Sequence, residues 1–595
     1  MEKEIHGIKI DLSRDKLFDE LGLKRLKESY MKEEEDSPQE RFAYVSHIFS
    51  SNKEHAQRLY EYSSRHWLSY STPILSFGRS KRGLPISCFL PYLHDSAEGL
   101  VDCLSEVNWL SMLGGGIGIG VGIRSADDKS VGVMPHLRTY DSSSLAYRQG
   151  RTRRGSYAAY LDISHPDILM FLEMRKPTGD QNMKALNLHH GINITNDFMQ
   201  IIEKCMIDPS ADDTWELKDP HNSEVKDKIS AKELWQRILE MRMHTGEPYL
   251  HFIDTSNEMM PEFQKKLGLS IKQSNLCSEI ILPTDKTRTA VCCLSSVNLE
   301  YFDEWKSNKL FLRDIAEMLD NVLSYFIDNA PSAIKRAKYS ASRERSIGVG
   351  ALGFHAYLQK NGIPWESALA TSANMRMFKH IKKKLDEANR ELGTERGEAP
   401  DAKGTGLRFC HVMAIAPNAS SSIIMGNTSP SIEPYRANAY RQDTLSGAYL
   451  TKNKFLDKIL KEKVKEEELA DIWSSIIAND GSVQHLSILS DDEKDIFKTA
   501  IEIDQRWIVD HAAHRQEFID QSQSVNLFFR PDVNIKYLHA VHFQAWKQKI
   551  KTLYYCRSEK IGKADKVSKK IERQVIEEID LKKMVTEEVC LACEG

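Results

Sequence analysis

The sequence predicts a large α/β domain with a helical lead-in and a charged tail, and three features of its texture predict it. From Tyr70 to about residue 550, short apolar runs, clusters of Gly, Pro and Ser, and amphipathic helical stretches alternate, as they do where helices cover a sheet. Residues before about 70 carry a helical, partly solvated pattern without those runs. From Arg557 onward the chain is rich in Lys and Glu, poor in aromatics, and ends in CLACEG, which reads as a mobile tail with something at its tip. At 595 residues the chain is roughly four domain lengths of about 150, so one large domain with appendages or two to four smaller ones are allowed.

In chain order, the acidic run Glu33 to Asp36 before Ser37 and Pro38 reads as a solvated face or loop. Ser230 and Glu233 form a capping-box pattern ahead of Leu234, Ile238 and Met241 at helical spacing. Longer amphipathic helices are predicted over Leu312 to Ala330 and Ser372 to Leu392, and no internal repeat of fixed period is present. With 81 Lys+Arg against 85 Asp+Glu the net charge is −4, which gives no basic excess for coating a nucleic acid. The opening MEKEIHGIKIDLSRDKL lacks a signal peptide's apolar core, and no stretch approaches the roughly 20 apolar residues of a membrane span. A cytoplasmic chain is expected, bound neither to membrane nor to nucleic acid. Ten cysteines are too sparse for a disulfide scaffold in this length, so each is a core filler, a metal ligand or a redox group.

The chemistry-bearing motifs begin with Gln273-Ser-Asn275-Leu-Cys277-Ser-Glu279. If this segment is extended, Asn275, Cys277 and Glu279 project on one face and set a thiol between an amide and a carboxylate. Cys88 and Cys292 each sit in a short apolar run expected to be a buried strand. With the terminal Cys590-Leu-Ala-Cys593 they suggest an internal dithiol re-reduced by exchange with the tail pair. No second CxxC or close CxxH completes four zinc ligands, so redox is favoured over metal. Ala416-Pro417-Asn418-Ala419-Ser420-Ser421-Ser422-Ile423 is either an anion-cradling helix start or an ordinary N-cap loop. The glycine run from Leu113 to Arg124 spaces GxGxG rather than GxGxxG, which points to close backbone approach instead of a dinucleotide fold. The cluster Arg345 to Gly353 reads as tight packing, and Thr428 to Pro434 as structural.

Ser87-Cys88, Asn275-Leu-Cys277-Ser-Glu279, Cys292, Lys551-Thr-Leu-Tyr554-Tyr555 and the terminal CxxC, in this order, closely resemble the catalytic large subunit of class I ribonucleotide reductase. The resemblance runs from about Tyr70 to the C-terminus. It implies a ten-stranded α/β barrel of two antiparallel five-stranded halves, with Cys277 on a loop threading the centre. The implied domains are a helical segment at 1–70, the barrel at 71–556 and a redox tail at 557–595. It makes Cys277 the thiyl radical that takes hydrogen from C3′ of the ribose, Glu279 the base for the 3′-hydroxyl and Asn275 the amide that holds the hydroxyls. Cys88 and Cys292 become the reducing dithiol, and Cys293, without a counterpart, becomes packing.

By the same resemblance, Tyr554 and Tyr555 end an electron-transfer chain that starts on a separate radical-carrying metallo-subunit. Pro417, Asn418, Ala419, Ser420 and Ser421 bind the substrate diphosphate, with Thr72 and Ser87 as further contacts. Asp95 and Arg124 bind a specificity effector, a dNTP or ATP, and the loop from Gln149 to Ser156, with Arg153, transmits its identity. That loop is unusually basic here, so the family's base-selection rules do not carry over directly. No cofactor is held permanently and no metal is bound by this chain. The implied partners are ribonucleoside diphosphates, the small subunit, a thioredoxin- or glutaredoxin-like reductant and a second copy in a homodimer. Only 87 residues precede Cys88, so no ATP-cone and no overall activity switch are expected, while specificity control is kept. The rivals are the cobalamin-dependent class, without the phenol relay, and a silent nucleotide-binding relative, against which the intact cysteines, Glu279 and tyrosines argue.

Overall fold

A computed structural model describes residues 2–79, 83–147, 155–444 and 447–558. The opening segment differs from its purely helical expectation, because Glu2–Ile5 and Ile8–Asp11 pair as an antiparallel hairpin. Ile8 and Ile10 alternate inward there and are buried, which two residues of strand can do and a single helical turn cannot. Helices Glu20–Ser29, Pro38–Ile48 and Lys53–Ser64 follow, each started by a side chain that takes a backbone N–H: Asp19, Ser37 and Asn52. The acidic run lies in the turn before Ser37, but Glu35 is half-buried and pairs with the buried Arg41 at 3.2 Å.

The barrel is built from parallel strands joined by helices. β1 (Cys88–Leu90), β2 (Gly116–Gly122), β3 (Ser156–Asp162), β4 (Leu188–Ile194) and β5 (Tyr249–Phe252) pair in that order, all parallel. β6 (Ala290–Asn298) runs antiparallel to β1 and parallel to β7 (Ile347–Leu352). Beyond β7, Val349 bridges Met413 and Ile415 bridges Gln523, both parallel, so two extended segments around 411–415 and 521–525 continue the second half. Tyr554 N donates to Val525 O at 2.8 Å, and β8 (Thr552–Leu553) pairs antiparallel with β5. These two segments join the eight strands of the continuous path into ten staves, and the circuit closes as two antiparallel halves of five.

Period-2 alternation then divides the core into two layers. In β6, Ala290, Cys292 and Leu294 face the lumen with Cys88, Ala158, Tyr160 and Ala414, whereas Val291, Cys293 and Val297 face the helical shell. The shell includes the helix Ala231–Thr245, where Ser230 accepts from Glu233 N as its sequence foretells, and helices Phe311–Asn329 and Ala368–Arg396. A satellite cluster, not foreseen from sequence, gathers Leu456, Leu460, Trp473 and Ile476 on helices Lys454–Lys463 and Glu466–Ala478.

A loop enters the lumen between β5 and β6, its base closed by the Ile271–Pro283 bridge. It is not extended. Asn275 N donates to Ile280 O and Ser278 N to Asn275 O, both at 3.3 Å, and Ser278 takes φ +66°. The glycines of β2 make room for it: a Cβ on Gly118 would stand 2.6 Å from Asn275 Cα, and one on Gly120 2.6 Å from Gln273 Oε1. Both halves of the barrel pin the loop. Tyr160 OH donates to Asn275 O at 2.6 Å, Ser524 Oγ to Cys277 O at 2.5 Å and Thr552 Oγ1 to Ser278 O at 2.7 Å.

Candidate active site

The loop carries Asn275, Cys277 and Glu279 on a tight turn, which corrects the strand-alternation premise: the Asn275 amide meets the Glu279 carboxylate directly instead of flanking the thiol. All three are fully buried. Asn275 Nδ2 donates to Glu279 Oε2 at 2.8 Å, and Asn275 Oδ1 accepts from Ile280 N at 3.0 Å, so the amide's orientation is set by the turn itself. The same Nδ2 lies 3.9 Å from Cys88 Sγ, and Ser524 Oγ donates to Glu279 Oε2 at 3.4 Å.

Cys88 and Cys292 are register partners across the antiparallel β1–β6 junction. Directly opposed residues of such a ladder lie roughly 4.5–5.5 Å apart at Cα with side chains on one face, which is the spacing a disulfide needs. Neither is joined in a disulfide. Burial pushes the Cys292 thiol well above its ordinary pKa, with the Gln521 amide acting the other way.

Tyr554 OH donates to Cys277 Sγ at 3.5 Å. The Tyr554 and Tyr555 rings follow at 4.3 Å between centroids. A third phenol, Tyr249 on β5, packs 4.7 Å from Tyr554 and 5.1 Å from Tyr555. Sequence reasoning misses Tyr249; the β5–β8 pairing, with Leu250 opposite Leu553, would be the signal. Burial raises the Tyr555 pKa, and the nearby Glu247 carboxylate adds to it. Burial alone would raise Glu247, but Arg175 and His189, whose Nδ1 sits 2.5 Å away, outweigh it and hold the carboxyl well below the usual range. Arg557 lies over the Tyr555 ring at 4.1 Å.

The segment Pro417 to Ser421 folds into a tight start for helix Ala419–Ile424 at the end of β6 remote from Cys88. Asn418 takes φ +54°, and its side-chain amide is committed to Ser296 Oγ and Ala351 O, both at 3.1 Å. Arg25 Nη2 donates to Ser420 Oγ at 3.0 Å. Ser296 is four residues from Cys292, on the order of 13 Å along the strand. Leu68–Tyr70 pairs antiparallel with β6, Leu68 opposite Val297 and Tyr70 opposite Ser295, so the chain leaves this pairing toward Cys292 and the buried Thr72 follows; Ser87 precedes Cys88. Asp95 and Arg124 lie together, with Arg124 Nε 3.4 Å from Asp95 Oδ2. Arg153, Cys590 and Cys593 lie outside the described residues.

Family models for the ribonucleotide reductase barrel domain match residues 86–404 and 399–556, and that for the ribonucleotide reductase all-alpha domain matches 16–83. The chain is 55% identical to the ribonucleoside-diphosphate reductase large subunit of Invertebrate iridescent virus 3, over 99% of this chain and 100% of that protein. It is 31% identical to the large subunit of Danio rerio, over 92% of this chain and 76% of that protein. Among solved structures it is similar to the Actinobacillus ureae class Id ribonucleotide reductase alpha subunit, with 34% identity, a TM-score of 0.81, and coverage of 91% of this chain and 97% of that one.

Proposed function

The chain belongs to the ribonucleotide reductase large-subunit family, whose reaction is the reduction of ribonucleoside diphosphates, and on that premise we propose a role for each residue of the lumen. The observation that carries the reading is the contact chain Tyr555–Tyr554–Cys277, with the Cys88–Cys292 pair beside it on the lumen wall.

Ribose C–H bonds are not acidic, so a sulfur radical opens the sugar where a base cannot. An oxidised Tyr554 takes the Cys277 S–H hydrogen across their 3.5 Å contact, and the Cys277 sulfur then takes hydrogen from C3′. Glu279, steadied by Asn275 and Ser524, accepts the 3′-hydroxyl proton. The 2′-hydroxyl leaves as water while Cys88 and Cys292 supply two electrons and become a disulfide, and Cys277 returns its hydrogen to C3′. The backbone donors after Asn418, with Ser420 and Ser421, hold the diphosphate at the far end of β6, and Thr72 and Ser87 are further substrate contacts.

The oxidising equivalent comes from a radical-bearing small subunit, because the phenols form a continuous path toward Cys277. This favours the class I reading over the cobalamin-dependent one. Asp95 and Arg124, with Arg153, bind the specificity effector. A homodimer forms through helices Ala97–Met112 and Val133–Ala146, where Val101 is 68% and Trp109 42% exposed. The Cys590–Cys593 pair passes electrons from a thioredoxin- or glutaredoxin-like protein. Reduced cysteines suit a reducing cytoplasm, and no helix of the described residues is long and apolar enough to cross a membrane.

The test is turnover of a ribonucleoside diphosphate with candidate small subunits, followed by thiol mapping after one turnover without reductant. One Cys88–Cys292 disulfide per product is expected. Turnover with adenosylcobalamin alone would transfer the chain to the other class.

A further inference from the structure

One side chain behind the inner dithiol has no part in the roles above. Gln521 is fully buried, and its Nε2 lies 3.3 Å from Cys292 Sγ and 3.1 Å from the Ile347 carbonyl oxygen. A carbonyl oxygen only accepts, so the atom facing it is the nitrogen, and the second N–H of the same group is directed to the sulfur. The backbone beneath is held in place. Gln521 N donates to Met413 O at 3.2 Å, and Gln521 O accepts from Lys551 Nζ at 2.7 Å and Gln516 Nε2 at 3.3 Å. On β7, Gly348 leaves the space that the sulfur occupies, since a Cβ there would stand 3.1 Å from Cys292 Sγ.

We propose that Gln521 is a positioning residue for the reductive half of the reaction: its amide N–H occupies a lone pair of Cys292 Sγ and steadies negative charge on that sulfur as the dithiol is oxidised. The proposal rests on the reading of Cys88 and Cys292 given above. In that step two S–H bonds break and one S–S bond forms. The two electrons and two protons pass to the substrate, whose C2′–O bond breaks to give water and a C2′–H bond. Charge on a buried sulfur is costly unless a donor faces it, and among the described residues Gln521 is the side chain whose N–H does so. A neutral amide does this without adding a charge beside Cys88.

The experiment compares wild type, Gln521→Met and Gln521→Glu in the full-length protein with its small subunit. Methionine keeps the volume without a donor, and glutamate keeps the shape but donates only when protonated. The measurements are the pH midpoint of Cys292 alkylation by iodoacetamide, the rate of Cys88–Cys292 disulfide formation in a single turnover, and nucleotide affinity. In Gln521→Met the midpoint should rise by about one pH unit, a tenfold loss of thiolate at a given pH, and disulfide formation should slow about tenfold, with affinity within about twofold. Gln521→Glu should recover part of the rate as the pH is lowered. An unchanged midpoint and rate in Gln521→Met would overturn the proposal, and so would a loss of affinity in step with rate in both variants, which marks a merely structural role. If wild type itself forms no Cys88–Cys292 disulfide with substrate, the functional reading fails instead.

Discussion

Cys292 and Cys293 are adjacent in one strand yet belong to different regions of the molecule. Cys292 faces the lumen with Cys88, Cys277 and Tyr554, while Cys293 faces the shell of aliphatic and aromatic side chains between strands and helices. Each is 1% exposed, and burial pushes both thiols well above their ordinary range. Burial therefore does not distinguish a reactive cysteine from a packed one here. What differs is the company: across the ladder from Cys292 stands a second thiol, and behind it an amide donor.

The sharpest test of the lumen is Cys277→Ser, which should lower turnover by roughly three orders of magnitude or more while nucleotide affinity holds within about twofold. Gly118→Ala probes how the lumen is shaped. The added methyl meets Asn275 Cα and displaces the loop, so turnover should fall on the order of a hundredfold, with a stability loss of about 1–3 kcal/mol by thermal melting. Full activity in the Gly118→Ala protein would break the claim that β2 sets the position of Cys277.

Lys551 offers a pH test of the wall that carries Gln521. Burial lowers its pKa to about 8, although its Nζ donates to the carbonyls of Ile519, Asp520 and Gln521. Between pH 8 and the ordinary value of 10.5 the unfolded chain holds a proton that the folded one has released. Stability from this group therefore rises with pH across that window, by up to roughly 3 kcal/mol, and Lys551→Met should abolish the rise in pH-dependent denaturant titrations. The smallest effect belongs to the shell: Cys293→Ala should cost about 1 kcal/mol of stability and leave turnover within about twofold, where Cys292→Ala stops it. Equal loss of turnover in both would erase the contrast between the two faces.

Much of this is legible in the sequence because the chemistry is carried by rare residue types in short spacings. Asn275, Cys277 and Glu279 can be grouped because a thiol, an amide and a carboxylate stand within five residues. Their geometry cannot be read the same way: alternation along a strand would set the thiol between the amide and the carboxylate, whereas a turn with Ser278 at positive φ joins Asn275 to Glu279 directly, and local spacing does not separate the two. The N-terminal hairpin escapes a sequence reading because two four-residue strands give too short a period to stand out against the helices that follow. The glycines of β2 are legible as a site of close approach, but not what approaches, since Asn275 lies more than 150 residues downstream of Gly118.

The sequence by itself determined the reactive groups, the helix caps at Ser37 and Ser230 and the alternation that gives each strand two faces, because these depend on side chains within a few residues of one another. Which face became the lumen, and that Tyr249 and Gln521 would stand beside Tyr554 and Cys292, was decided only when ten strands closed on themselves. Those contacts join residues hundreds of positions apart, and their distances follow from the register and curvature of the whole sheet rather than from any local pattern.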